Sequence, residues 1–262
     1  VDEVIAFGHN PATLQKALDK GAADTVTTSM EEAVKDADIV VSAVPVEAME
    51  SVFTEMAPFL KSDAVVTDVG STRQTVIAAA RKGLGDKFHQ YAPAHPIAGG
   101  EMPGVDYASA DLFDEKVVIS TPDEGMDPKV VTFIEEAWRK AGARVQAMSP
   151  LQHDLTFASV SHLPHVLAYA LVDMIAREEN AQEKLKMAGA GFRDFTRIAS
   201  SSPVMWRDIC LSNREALSHE LKRYRASLDT LQKYIDESDG KALESVFENA
   251  VRNRRGLVFP GK

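Results

Sequence analysis

Residues Val4–Ala22, VIAFGHNPATLQKALDKGA, decide how the first half of this chain is read. A short apolar run leads into a turn and then an amphipathic stretch with Pro11 in its first turn. That order matches the second strand and helix of a dinucleotide-binding βαβ unit, where the chain meets the adenosine ribose. The glycine-rich phosphate loop of such a unit belongs some tens of residues upstream of Val4. The expectation is therefore that roughly 25–35 residues precede Val1 in the natural protein and carry the first strand and that loop. Such a strand would lie between the one at Val4 and the next one along the chain, so those two should not pair directly.

Outward from this stretch the apolar runs continue as DIVVSAVP (38–45), AVVTDVG (64–70), YAPAHP (91–96), KVVIS (116–120) and ARVQAMS (143–149). Valine-rich runs of this length suit strands covered on both faces of a mostly parallel sheet. Helix-like segments separate them at 12–20, 30–36, 48–60, 72–83 and 127–141. The alternation predicts an α/β fold, a doubly wound and mostly parallel nucleotide-binding sheet whose first strand is missing from this chain. After SPLQHD (149–154) no valine-rich run returns, and the chain reads to Arg255 as successive helices with 3.6-residue spacing, among them a long amphipathic helix over 205–235. We expect a truncated dinucleotide-binding domain over 1–149 and an all-helical domain over 150–262.

The composition narrows the function. The chain has 262 residues and a net charge of −10, which argues against nucleic-acid binding, because that needs a broad basic surface. A single cysteine, Cys210, forms no internal disulfide and suits a reducing cytoplasm. No signal peptide is visible. The most apolar segment, VSHLPHVLAYALVDMIA (160–176), holds two histidines, a proline and an aspartate, and reads as a buried helix rather than a membrane span.

Four clusters carry candidate chemistry. VVSAVP (40–45) ends a strand in small residues, Ala43, Val44 and Pro45, as a parallel sheet does where it delivers its edge to a cofactor. TDVGSTR (67–73) ends a strand at a glycine turn. There Ser71 either caps the next helix or faces the cleft. In AHPIAGGEMPG (94–104) a histidine, His95, follows a strand and enters a glycine-rich loop, with an imidazole suited to take a proton near pH 7. In the helical half, Ser161, His162, His165, Arg193 and Arg197 gather cations in an acidic protein, as a carboxylate site requires. The spacing of four between Arg193 and Arg197 would put both on one helix face. No metal-ligand spacing is present.

Taken in order, DADIVVSAVP, VVTDVGSTR, HPIAGGEMPGV, SHLPHVLAYALVD, GFRDFTRIASSSPVMWRDI and LSNREAL resemble the prephenate/arogenate dehydrogenase family, the cyclohexadienyl dehydrogenases of tyrosine synthesis. The resemblance runs from Val1 to about Tyr234. It implies oxidative decarboxylation of prephenate to 4-hydroxyphenylpyruvate, or of arogenate to tyrosine, with hydride passing to a nicotinamide cofactor. By resemblance, His95 accepts the hydroxyl proton, Ser71 helps orient it, His165 and Arg197 hold substrate carboxylates, and Ser161 and Glu101 lie near. It also implies a homodimer formed through the helical half.

One departure bears on the cofactor. The turn after the first run, Gly8, His9 and Asn10, lacks the carboxylate that an NAD enzyme sets against the ribose 2′-hydroxyl. NADP is therefore expected over NAD, with His9 and Thr13 as contacts. A catalytically silent ligand-sensing protein of the same fold is the rival from another class. A β-hydroxyacid dehydrogenase is a second, and it would need a catalytic lysine that neither Lys184 nor Lys186 supplies in a convincing motif.

Overall fold

The computed structural model describes residues 1–100 and 104–257. The first part runs β1 (Ile5–Phe7), α1 (Pro11–Asp19), β2 (Thr25–Thr27), α2 (Met30–Val34), β3 (Ile39–Ser42), α3 (Met49–Met56), β4 (Val65–Asp68) and α4 (Gln74–Leu84). It continues through β5 (Tyr91–Pro96), β6 (Val117–Ser120), α5 (Pro128–Lys140) and β7 (Arg144–Ala147). From there on the regular elements among the described residues are helical. They are α6 (Pro150–Phe157), a π-helical segment at Ala158–His162, α7 (Leu163–Ala176), α8 (Ala181–Lys186), α9 (Ala190–Thr196), α10 (Pro203–Ser212), α11 (Arg214–Asp236) and α12 (Gly240–Arg255).

Four helices open with the same local chemistry. Asn10, Asp127, Ser149 and Ser202 each place a side-chain oxygen on the first free N–H groups, and a proline follows in the first turn. The cap satisfies donors that have no partner within the helix, and proline needs no donor there.

The strands form two sheets. β1 pairs in parallel with β2, while β3, β4, β5, β6 and β7 lie in that order. All pairs are parallel except β5–β6. β1 and β3 share no ladder, and Ile39 and Val41 on β3 are exposed. The sequence missed β2, whose TVT is too short and too polar to stand out as an apolar run.

The main core lies between β4 and the helices α3 and α4, where Met49, Phe53, Met56, Val66, Val76, Ala80 and Tyr91 are buried. α3 and α4 cross closely at Gly83, where a Cβ would stand 2.6 Å from that of Phe53. Removing apolar surface of this kind from water is the main favourable term in folding.

Two expectations need correction in the helical half, at the long helix and at the apolar one. The long helix over 205–235 is broken at Asn213, whose side chain turns inward to donate to the carbonyl of Asp154 and to bond Nδ1 of His162. α9 ends at Thr196, and Arg197, its C-cap with helical backbone angles, opens a 3₁₀ turn, so Arg193 lies within the helix and Arg197 at its end. Finally, α6 through α7 is long and apolar enough to cross a membrane by length and composition, yet only Leu163 and Ala168 of α7 are buried. Its exposed apolar residues include Leu151, Leu155, Val160 and Met174.

Candidate active site

β4 delivers the chain to a buried ion pair. The Asp68 carboxylate accepts from the Gly70 N–H at 2.7 Å, from Arg73 Nη2 and Nη1 at 2.7 and 3.1 Å, and from the Tyr91 hydroxyl. Arg73 is wholly buried and also donates to the carbonyls of Thr72 and Ala94. Burial works against its charge, and Asp68 more than offsets that, so Arg73 is held more firmly protonated than usual. Gly70 is required here because a Cβ would stand 2.7 Å from Arg73 Nη2.

This pinned turn presents Ser71, half-buried and without a hydrogen-bond partner among the described residues. Ser71 is not the cap of α4, which is one of the two readings its sequence position allowed. The helix begins at Gln74, and its leading N–H groups, those of Arg73 and Gln74, donate to the two oxygens of Asp154 at 2.8 and 2.9 Å. Asp154 lies on α6, so the cap comes from the other half of the molecule.

His95 sits within β5, inside the apolar run 91–96, and the glycine-rich stretch begins only after it. Its register partner is Ile119 of β6, and this antiparallel pairing carries the strand on to Pro96. Nδ1 of His95 is 2.7 Å from Nε2 of His153, and Nδ1 of His153 is 2.9 Å from Oδ1 of Asp154. Phe157 packs on both rings. Burial, followed by His153, Arg73 and His162, pushes the His95 imidazole well below the ordinary histidine value. His153 is also lowered, chiefly by burial. Burial works to raise Asp154, but bonds from His153 and from the Gln74 and Arg73 amides hold it below the usual carboxylate value. His162 is buried and lowered to about 4. At neutral pH the cluster is thus neutral imidazole beside ionised carboxylate.

Ser161, His165 and Arg197 lie around α7. The π-helical segment places the Ser161 carbonyl 2.8 Å from His165 Nδ1, and the Trp206 indole stacks on the His165 ring at 3.7 Å between centroids. Burial lowers His165. The Ser161 carbonyl opposes that shift, and Arg197 adds to it, which puts Arg197 within electrostatic reach of the ring. Arg193 is exposed. Glu101 lies outside the described residues. Among the described residues no group of three or more histidine, cysteine, aspartate or glutamate side chains could hold a metal ion.

The strand ends that would meet a dinucleotide are open. His9, Asn10 and Thr13 after β1 are exposed, as are Ala43 and Pro45 after β3, while Gly8 and Val44 are half-buried. Asn10 Oδ1 is committed to the Ala12 and Thr13 amides, which leaves its NH₂ group as a donor. With His9 and the Thr13 hydroxyl, this set is rich in donors and holds no carboxylate. Such a set could hold the ribose end of a nucleotide.

Sequence reasoning missed His153, Asp154, Trp206 and Asn213. The adjacent His–Asp pair in SPLQHD was the available signal, at the point where the sequence rhythm changes, but its partner His95 is 58 residues away.

The family model for the prephenate dehydrogenase nucleotide-binding domain matches residues 2–147, and that for the prephenate dehydrogenase dimerization domain matches 149–249. A cyclohexadienyl dehydrogenase from Zymomonas mobilis is 38% identical over 244 residues, covering 92% of this chain and 82% of the relative. A prephenate dehydrogenase from Bacillus subtilis is 35% identical, covering 94% of this chain and 67% of its own length. Among solved structures, prephenate dehydrogenase from Aquifex aeolicus in complex with hydroxyphenyl propionate and NAD⁺ superposes with a TM-score of 0.88 at 34% identity, covering 97% of this chain and 88% of that one.

Proposed function

The chain belongs to the prephenate dehydrogenase family, and from that premise we propose that it oxidatively decarboxylates prephenate to 4-hydroxyphenylpyruvate with His95 as the base. A nicotinamide dinucleotide, when bound, supplies the acceptor for the hydride that leaves the ring carbon bearing the hydroxyl. His95 takes the hydroxyl proton at Nε2 as that carbon becomes a carbonyl. Loss of the ring carboxylate as carbon dioxide then aromatises the ring, and His95 returns its proton to the phenolate oxygen. The conversion of prephenate dianion and oxidised cofactor to product anion, carbon dioxide and reduced cofactor balances without a net proton. The base therefore needs no exit route for one.

One observation carries this reading. His95 is buried and neutral, with Nδ1 engaged and no hydrogen bond to Nε2 among the described residues. Such a ring is ready to accept a proton. Ser71, with its hydroxyl uncommitted, would orient the substrate hydroxyl beside the base. His165 and Arg197 would hold the substrate's carboxylates, with Ser161 and Glu101 near them, so that binding charge and base come from different elements.

The donor set of Gly8, His9, Asn10 and Thr13 supports NADP over NAD, since nothing there repels a 2′-phosphate. Ala43, Val44, Pro45 and Ser71 would line the path toward the nicotinamide. A division at 149/150 into nucleotide-binding and helical domains follows the change from strands to helices. The exposed apolar residues Leu151, Leu155, Val160 and Met174 support a homodimer through the helical half. With its one cysteine half-buried, a cytoplasmic setting is the natural one.

The test is to supply prephenate and arogenate separately, each with NAD⁺ and NADP⁺, and to follow reduced nicotinamide and carbon dioxide together. Turnover of prephenate, fastest with NADP⁺, is expected. Turnover of arogenate alone would change the substrate and keep the site. Binding without turnover would favour a sensing protein.

A further inference from the structure

We infer that His153, oriented by Asp154, is a positioning residue that keeps the proton of neutral His95 on Nδ1 and so leaves the Nε2 lone pair for the substrate hydroxyl. This rests on the reading of His95 as the base.

The direction of the chain of bonds follows from what each group can donate. Asp154 is ionised and can only accept. Its oxygens already take the Arg73 and Gln74 amides at 2.8 and 2.9 Å, and the Gln74 side-chain amide reaches Oδ2 at 3.3 Å. The 2.9 Å approach of His153 Nδ1 to Oδ1 therefore requires a proton on that nitrogen. The opposite tautomer would set a bare lone pair against a carboxylate in a buried place. A neutral His153 with its proton on Nδ1 has only a lone pair at Nε2. The 2.7 Å contact from His95 Nδ1 can then be a hydrogen bond only if His95 donates it. A neutral His95 that donates from Nδ1 is unprotonated at Nε2.

Neither ring can easily turn to escape this. His153 and Asp154 are fully or nearly fully buried, His153 stacks on Phe157 at 4.4 Å, and Asp154 is fixed by the N-terminus of α4. The proton on the base is thus set by α6, an element of the helical half, while the base itself sits on β5. Docking of the two halves would select the working tautomer. Free neutral histidine modestly prefers Nε2–H, the form that could not accept the hydroxyl proton, so the preference has to be imposed.

The test uses ¹⁵N-histidine-labelled protein and two variants. In His153→Phe the ring stacking survives but the acceptor is lost. In His153→Gln the side-chain oxygen stands near the former Nε2 and can again accept from His95 Nδ1. Long-range ¹H–¹⁵N spectra, with His95→Asn to assign the signals, should show His95 as the Nδ1–H tautomer in the wild type. The Phe variant should shift it toward Nε2–H, and the Gln variant should restore it. Turnover number should fall about 10²–10⁴-fold in the Phe variant with KM within about threefold, and return to within about tenfold of wild type in the Gln variant. A wild-type His95 protonated on Nε2 overturns the inference. So does a folded Phe variant that keeps the Nδ1–H signal, or a Gln variant no better than Phe. If the Phe variant does not fold, the wild-type tautomer and the Gln variant decide. The spectra are read without substrate. Correct tautomers in a wild type that never turns over would therefore count against the proposed reaction and leave the positioning role standing.

Discussion

His95 and His165 carry the proposed chemistry from opposite surroundings. His95 is buried on a strand, and both its neighbours in the chain of bonds, His153 and Asp154, are buried too. His165 is half-buried on a helix, stacked on Trp206 and in electrostatic reach of the exposed Arg197. Both are pushed below the ordinary histidine value, with burial as the first cause in each case. The second influences differ. Around His95 every other contribution, from His153, Arg73 and His162, also disfavours the charge. Around His165 the Ser161 carbonyl favours it. A base that must be neutral at rest is best enclosed, whereas a group that meets a carboxylate must stay close to being charged.

The largest effect should follow from breaking the enclosed side. His95→Asn keeps a polar group of similar reach but removes the proton acceptor. Steady-state kinetics should show turnover down on the order of 10²–10⁴-fold, with KM changed only a few-fold because the carboxylates are held elsewhere. The wild-type acid limb in kcat/KM should lie below pH 6.5 rather than at an ordinary histidine value, since burial and three nearby cationic or titrating groups hold His95 down. Its charged form gains only at low pH, so the loss of activity due to His95 lies on the acid side and ends before neutrality. A His95→Asn enzyme with near-normal turnover would end the assignment of the base.

Arg197→Ala breaks the open side and should act with the opposite emphasis. On the proposed reading it removes a charge-assisted partner of a substrate carboxylate, so KM should rise roughly 10- to 100-fold with a smaller change in turnover. Equal losses in kcat and kcat/KM would instead mean that Arg197 acts mainly in the transition state.

The two sides also differed in how far they could be read from sequence. The strands that bring Ser71 and His95 to the sheet edge stood out as valine-rich runs, and the block RIA marked Arg197. Local pattern ended there. The run 91–96 was legible as a strand, but not its antiparallel partner β6, where Ile119 pairs with His95 from 24 residues on. Helical periodicity ran unbroken through Asn213, since nothing in spacing reveals that this side chain will turn in to Asp154 and His162. For Ser71 the sequence left a cap and a cleft-facing hydroxyl both open, because the true cap of α4, Asp154, comes from the other half. Each miss is a tertiary bond overriding a local preference. The enclosed half of the site consists largely of such bonds.

Gly8→Asp sharpens the comparison at a third place, where there is no enclosure at all. Neighbouring His9 and Asn10 are exposed, and no carboxylate stands in the turn. A new carboxylate should accept from a 2′-hydroxyl and repel a 2′-phosphate, shifting the NADP-to-NAD affinity ratio about 5- to 30-fold toward NAD. Cofactor titration of the wild type and the variant measures it. A Cβ at Gly8 meets Leu14 at an ordinary 3.4 Å, so the substitution should not disturb the turn. An unchanged ratio would mean that Gly8 does not face the ribose.

The smallest effect tests whether His165 meets the substrate as a cation. Its Nδ1 donates to the Ser161 carbonyl, so the neutral ring offers only a lone pair at Nε2. A lone pair repels a carboxylate, whereas the protonated ring donates to it. Since the free-enzyme value is lowered by burial and then by Arg197, the fraction charged is small at pH 7 and grows as pH falls. Substrate affinity contributed by His165 is therefore fully present below its titration point and lost above it. KM for prephenate should rise about three- to tenfold between pH 5.5 and 7.5, and His165→Asn should flatten that dependence while raising KM at the acid end. A wild-type KM that is level across this range would mean that His165 stays neutral when substrate binds. Its Nε2 would then accept from a substrate hydroxyl, and Arg197 would be left as the principal cation for the carboxylates.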